Sequence, residues 1–304
     1  MRVAAIDCGT NSIRLLVADV EGGTLVDVER IMEIVRLGEG VDRTGQFSDA
    51  ALARTFAACD HYAEVIGRSG VERVRFVATS ASRDVSNRAA FVSGVVDRLG
   101  VSPDVISGDE EAHLSFTGAV RGLSDAHAPR LVVDIGGGST EFVMGDEVPA
   151  YAISVDIGCV RMTERCLRSD PPTAEEIVAA TGDINEAIDR ALAVVPGRSA
   201  ASLIGVAGSV TTVAAIALDL PAYDADRLHG SVIGADEVER VTDLLLRMPR
   251  AERAALPVMH PGRVDVIGGG ALILREIMRR TGHGRVLVSE HDILDGIAWS
   301  LAPG

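Results

Sequence analysis

Residues 131–142 read LVVDIGGGSTEF. An apolar run leads into Asp134, three glycines follow, and Ser-Thr-Glu returns the chain to apolar sequence. The pattern predicts strand, tight turn, strand. The same design stands 127 residues earlier, where AAIDCGTNSI (4–13) places Asp7 at the end of an apolar run and a polar turn at Gly9–Ser12. Outward from both turns the order is alike. SIRLLVADV and TLVDVERIMEIVRLG (24–38) follow the first, and STEFVMGD and PAYAISVDIG follow the second. Gly22-Gly23 turns between the first pair of strands. Helices are predicted at 48–70 from the Ser48 cap, at 87–100, at 109–123, at 173–194 after Pro172, at 235–247 and at 264–281. VRFVATSAS (74–82) and PDVIS (103–107) read as strands. SDAHAP (124–129) is the linker candidate. The reading is an α/β chain of two duplicated lobes, the first over 1–125 and the second over 126–291, their turns expected to face each other across a cleft.

Composition narrows the chemistry. The 304 residues carry 29 basic and 44 acidic side chains, a formal charge of −15. That argues against a nucleic-acid binder, which needs a basic face. All the basic residues are Arg; there is no Lys. P-loop NTPases, protein kinases and Schiff-base enzymes are thereby excluded. Any phosphate must be held by Arg forks, backbone N–H groups and metal. Cys8, Cys59, Cys159 and Cys166 form no CxxC pair and read as reduced thiols. With no leader and no membrane span expected, the chain reads as cytoplasmic. The seven His show no metal-binding spacing.

The turns supply the site candidates. A D-x-G-x-x-S turn presents backbone N–H groups and a hydroxyl to one point, an anion nest. This nominates Gly9, Thr10, Asn11 and Ser12 in the first repeat and Gly136, Gly137, Gly138, Ser139 and Thr140 in the second. One such turn is usually structural; two at equivalent places favour a ligand. Asp134 and Glu141 put carboxylates beside phosphate oxygens, which calls for a hard cation between them, Mg²⁺ or another divalent ion. Arg83, in the polar segment 78–87, is a candidate phosphate fork, against the alternative of a solvated loop residue. Arg14 is either a phosphate ligand or an Arg whose stem packs in the sheet. Glu110 and Glu111 open a helix; both could simply suit its dipole, or one could be a base. Gly208-Ser209, in GVAGSVTTVAA (205–215), offers a helix N-terminus to an anion or packs closely on a sheet. The three glycines of VDVIGGGALIL (264–274) carry the same ambiguity.

Taken in order, DCGTNSIR, LGEGVDRTG, ATSASRDVSN, SGDEEAHL, DIGGGSTE, GVAGSVTTVAA, LHG and HPGRVDVIGGGALIL resemble the Ppx/GppA family of exopolyphosphatases and guanosine pentaphosphate phosphohydrolases. The resemblance covers nearly the whole chain, in the short two-domain form. It implies an actin-like (ribonuclease H-like) fold with the last helix, 292–304, packing on the first lobe. It also implies Glu111 as the catalytic base, phosphate loops at 7–14 and 134–141, Mg²⁺ near Asp134 and Glu141, and Arg83 at the phosphate. The expected reaction is release of orthophosphate from inorganic polyphosphate. The nearest alternative is removal of the terminal phosphate of pppGpp; a kinase of the same superfamily and a non-catalytic phosphate sensor rank below. A homodimer is admitted. SEHDILDG (289–296) departs from the family, which commonly has Gly-Leu-Arg before its Asp-Gly. Any basic substrate contact from that segment is therefore in doubt.

Overall fold

A computed structural model describes residues 1–22, 24–123 and 126–302. Gly23 of the Gly-Gly turn, Ser124 and Asp125 of the linker candidate, and Pro303-Gly304 of the last predicted helix lie outside the described residues. The chain divides into two compact units, Met1–Gly118 with Ile293–Gly304, and Ala119–Asp292.

In the first unit, β1 (Arg2–Cys8), β2 (Ser12–Glu21) and β3 (Thr24–Ile34) form an antiparallel meander. After the short α1 (Val41–Thr44) comes α2 (Asp49–Arg68), capped by the Ser48 hydroxyl, which accepts from the Ala51 N–H at 3.2 Å. Next are β4 (Arg73–Ala78), α3 (Ser80–Arg83), α4 (Arg88–Leu99), β5 (Asp104–Val105) and α5 (Gly108–Arg121). The sheet order is β3-β2-β1-β4-β5, with β1, β4 and β5 parallel.

Val3–Ile6 of β1 are apolar without alternation because both faces of the strand are covered, as a central strand requires. Ala4, Ile6 and Cys8 join one core with Tyr62 and Phe91 from the α2 and α4 side. Val3 and Ala5 point the other way, into a second core with Ile293, Leu294 and Ile297. Those residues belong to the last helix, Ile293–Ser300. An ion pair on a buried aspartate fixes it: Asp295 Oδ1 lies 2.6 Å from Arg30 Nη2.

The second unit repeats the plan. It contains β6 (Arg130–Ile135), β7 (Thr140–Gly145), β8 (Pro149–Val155), α6 (Cys159–Arg165), α7 (Ala174–Val194), β9 (Ser202–Val206), α8 (Ala207–Ala217), α9 (Ala225–Leu228), β10 (Val232–Gly234), α10 (Ala235–Arg247), α11 (Arg250–Ala254), α12 (Ile267–Thr281) and β11 (Arg285–Val288). α7 starts on a Thr173–Glu176 capping box. The sheet order β10-β11-β9-β6-β7-β8 reproduces the first sheet in reverse listing, with β10 added at one edge. β6–β7 and β7–β8 are antiparallel, and β6–β9 and β9–β11 parallel. The α/β class and the duplication expected from the Asp7 and Asp134 repeats are both present.

Several elements differ from the sequence reading. The residues 79–83 fold into a helical turn instead of extending β4, so Arg83 comes off a helix. Residues 35–38 leave β3 and fold back on the first turn. β10 and β11 were not foreseen, because three or four apolar residues carry no period to read.

Candidate active site

Both repeats build the same hairpin. Gly9 N–H donates to the Ser12 carbonyl at 2.9 Å and Gly136 N–H to the Ser139 carbonyl at 3.1 Å. In each unit, incoming backbone then takes up the turn's carbonyls. Val35 and Arg36 N–H reach the Asn11 carbonyl, and Gly38 N–H reaches that of Thr10 at 2.8 Å. In the second unit the start of α6 does this: Cys159 N–H donates to Gly136 O, and Val160 and Arg161 N–H to Gly137 O, while Arg161 Nε holds Gly138 O at 2.7 Å. The amides of Thr10, Asn11, Gly137 and Gly138 donate to no backbone carbonyl among the described residues. Carbonyls pulled inward and amides left over is the polarity an anion nest needs.

Close approach explains two glycines outside the turns. A Cβ on Gly38 would overlap the Thr10 side chain, and one on Gly158 would overlap the Gly137 backbone. The supporting segments 35–38 and 158–161 were not singled out from sequence. The only signal was a glycine after the third strand of each repeat, in LGEG and in DIGC.

The charges behind the two turns differ. Asp7 and Arg14 are cross-strand partners, and Arg14 Nη2 sits 2.6 Å from Asp7 Oδ2. Asp134 and Glu141 occupy the equivalent register positions, both buried. Glu141 Oε1 accepts from the Ser139 and Ser154 hydroxyls, each at 2.7 Å. The first unit thus sets its own cation against the aspartate, where the second sets another carboxylate. This hard-oxygen donor set fits Mg²⁺, which takes one or two carboxylates and fills its shell with water and phosphate oxygens. No group of three or more His, Cys, Asp or Glu suited to a metal occurs among the described residues.

The third constellation is on α5. Glu110 is 47% exposed and pairs with Arg75 at 2.6 Å. Glu111, one residue on, is 8% exposed. Its Oε2 accepts from Arg83 Nη1 at 2.7 Å. Arg83 Nη1 also donates to the Ile106 carbonyl at 3.2 Å. Burial pushes the Glu111 carboxyl up to about 6, opposed by Arg83; the negative charge of Asp7 adds to the rise and a hydrogen bond with Thr79 lowers it. A carboxylate balanced near neutrality by burial and one guanidinium is suited to take a proton. Thr79, from the polar exit of β4, was not among the residues nominated from sequence.

The family model for the Ppx/GppA phosphatase family matches residues 16–303. The chain belongs to that family. It is 53% identical over 315 residues to Exopolyphosphatase 2 of Mycobacterium tuberculosis, covering 99% of this chain and 98% of that protein. The crystal structure of an exopolyphosphatase-like protein superposes with a TM-score of 0.95 at 44% identity, covering 98% of each chain. A guanosine-5'-triphosphate,3'-diphosphate pyrophosphatase of Photobacterium profundum is 36% identical over 187 residues, 61% of this chain and 37% of that protein.

Within this Ppx/GppA chain the remaining nominated residues have the following surroundings. Thr140 is fully buried and its hydroxyl donates to the Ile157 carbonyl at 2.6 Å, so it braces the loop behind the turn. Gly208 lies under Arg263, whose Nη1 donates to the Gly208 carbonyl and the Thr212 hydroxyl. Ser209 is buried against Cys159 and Gly270. Gly208 and Ser209 therefore join α8 to α6 and α12, and the glycines of 268–270 serve the same close packing. Val206, before them, pairs with Asp134 across β9 and β6. In the segment 289–296, Ser289, Asp292 and Asp295 are buried.

Proposed function

We propose that this chain is an exopolyphosphatase that hydrolyses the terminal phosphoanhydride of inorganic polyphosphate. Water attacks the end phosphorus, the bond to the bridging oxygen breaks, and orthophosphate leaves the shortened chain. The observation that carries the mechanism is the buried Glu111 carboxylate, held between Arg83 and Thr79 and tuned near neutrality. Glu111 orients the water and accepts its proton. Arg83, bridging Glu111 and the Ile106 carbonyl, keeps the carboxylate aimed and presents its remaining N–H groups to phosphate oxygens. Each turn by itself offers backbone amides suited to phosphate oxygens, and such donors bind more strongly as charge builds on those oxygens. Asp134 and Glu141 would hold Mg²⁺, which when bound supplies charge neutralisation and a rigid oxygen template.

Full-length similarity to an exopolyphosphatase favours polyphosphate; the partial match to a pyrophosphatase acting on guanosine phosphates keeps pppGpp as the second substrate to try. No helix among the described residues is long and apolar enough to cross a membrane. The free thiols suit a reducing compartment, and the reading puts the activity in the cytoplasm. The deciding experiment measures phosphate release from polyphosphate, pppGpp and ATP side by side, with Mg²⁺ and with excess chelator. Polyphosphate should be the best substrate, and chelation should stop the reaction. Release from pppGpp alone would move the enzyme to the second reading, and full activity in chelator would remove the metal.

A further inference from the structure

At the end of the second sheet where β9 and β11 begin, a cavity of about 400 Å³ opens among residues that include His127, Ser202, Val232, His283, Arg285 and Leu287. β6 and β9 run parallel, Arg130 beside Ser202 and Asp134 beside Val206. The cavity mouth is therefore four strand residues, roughly 13 Å, from the level of Asp134. It is a separate place from the phosphate turn.

Its chemistry runs against that of the whole molecule. Among the described residues no Asp or Glu lines it, in a chain with 44 acidic side chains. The Arg285 guanidinium makes no ion pair or hydrogen bond among the described residues, although most arginines of this protein do. His283 Nε2 lies 3.1 Å from the Ala200 carbonyl, which can only accept, so that nitrogen carries the hydrogen. His283 Nδ1 is buried without a hydrogen-bond partner. Ser202 Oγ accepts the His127 N–H at 2.9 Å, which leaves its own hydrogen for another acceptor. Beside these groups the wall is apolar: Leu287 is nearly buried and Val232 is 50% exposed.

We propose that this cavity binds a small organic anion. Its phosphate or carboxylate head sits on Arg285 with the Ser202 hydroxyl and His127 beside it, the His283 ring lines the wall, and its apolar body lies on Val232 and Leu287. The volume suits a compact organic ligand, whereas a bare inorganic phosphate would leave most of the space to water. The inference does not depend on the reaction proposed above.

The test uses the full chain and follows the ring C–H resonances of His127 and His283 by NMR during titration with phenyl phosphate, benzoate and inorganic phosphate. Phenyl phosphate or benzoate should shift both rings with saturation, and the one that binds more tightly identifies the head group. Arg285→Gln should weaken that binding roughly 10- to 100-fold, the effect of losing a charged hydrogen bond, while leaving polyphosphate turnover unchanged. Val232→Glu, which brings a like charge to the apolar wall, should weaken it comparably and covers the case in which Arg285→Gln fails to fold. No shift with either organic probe overturns the site. Shifts unchanged in the variants overturn the assignment of its residues, and inorganic phosphate binding as tightly as phenyl phosphate overturns the apolar body.

Discussion

Glu110 and Glu111 are neighbours in sequence and alike in composition, yet one faces Arg75 at the surface and the other is buried on Arg83. Replacing each by Gln separates helix stabilisation from chemistry. Glu111→Gln should lower turnover by roughly two to four orders of magnitude, because an amide cannot take the water's proton. Binding should survive. Glu110→Gln should cost no more than about 1 kcal/mol of stability and leave turnover near the parent value. Because burial raises the Glu111 carboxyl to about 6, kcat/KM should climb as pH rises through 6, where the base ionises. The stability effect has the opposite sense. A raised carboxyl favours the fold most at low pH, below the ordinary carboxylate range, and that advantage is lost as pH rises through about 6. The unfolding free energy of the parent relative to Glu111→Gln should therefore fall across that window, and parallel curves would show that the group is not perturbed. Arg83→Lys should retain the fold but lower both turnover and affinity, since a compact ammonium lacks the planar, spread donors with which a guanidinium reaches Glu111, the Ile106 carbonyl and a phosphate together. Kinetics equal to the parent's would reduce Arg83 to a structural partner.

At the scale of elements, the turns depend on the segments packed behind them. Gly158 begins α6 in extended backbone that any residue adopts, φ −148°, so only space demands glycine there. Its Cβ would meet the Gly137 backbone. Gly158→Ala should push α6 off the turn, at a cost of about 1–3 kcal/mol in stability, with a larger loss in kcat/KM than in fold because the turn's carbonyls lose their donors. Gly182, in the middle of α7, has open space at its Cβ position. Gly182→Ala should stabilise the protein by about 0.5–1 kcal/mol without touching activity. Chemical denaturation and steady-state kinetics on the pair check both. A Gly158→Ala enzyme as active and as stable as the parent would show that the turn does not rely on α6.

For the molecule as a whole, charge sets the relation to its proposed substrate. A body at −15 repels a long polyanion on average, and this repulsion reaches about 10 Å at moderate salt. Short polyphosphates, which place few phosphates beyond the site, should have higher kcat/KM per chain end than chains of hundreds of units. Added salt should narrow the gap by screening the body more than the buried contacts. Equal or higher values for very long chains at low salt would show a basic track on the surface that overrides the net charge.

The repeat of Asp7 and Asp134, each before a glycine-bearing turn, was enough to specify two α/β units and the two turns, because alternation and turn chemistry are local properties of a chain. The absence of Lys was enough to remove whole classes of phosphate chemistry. Partnership was not legible. Nothing in SGDEEAHL says which glutamate is buried, and nothing in ATSASR says that Arg83 meets it, since 28 residues separate the two and β5 and α5 must form first. Nor does sequence reveal that Arg14 neutralises Asp7 while Glu141 doubles the charge at Asp134; cross-strand register decides that. Gly208 and Ser209 read on paper as a third phosphate turn, and only the tertiary structure brings Arg263, Cys159 and Gly270 against them. A turn's identity is written in its own residues, but which face of it stays open depends on what the rest of the chain packs behind it.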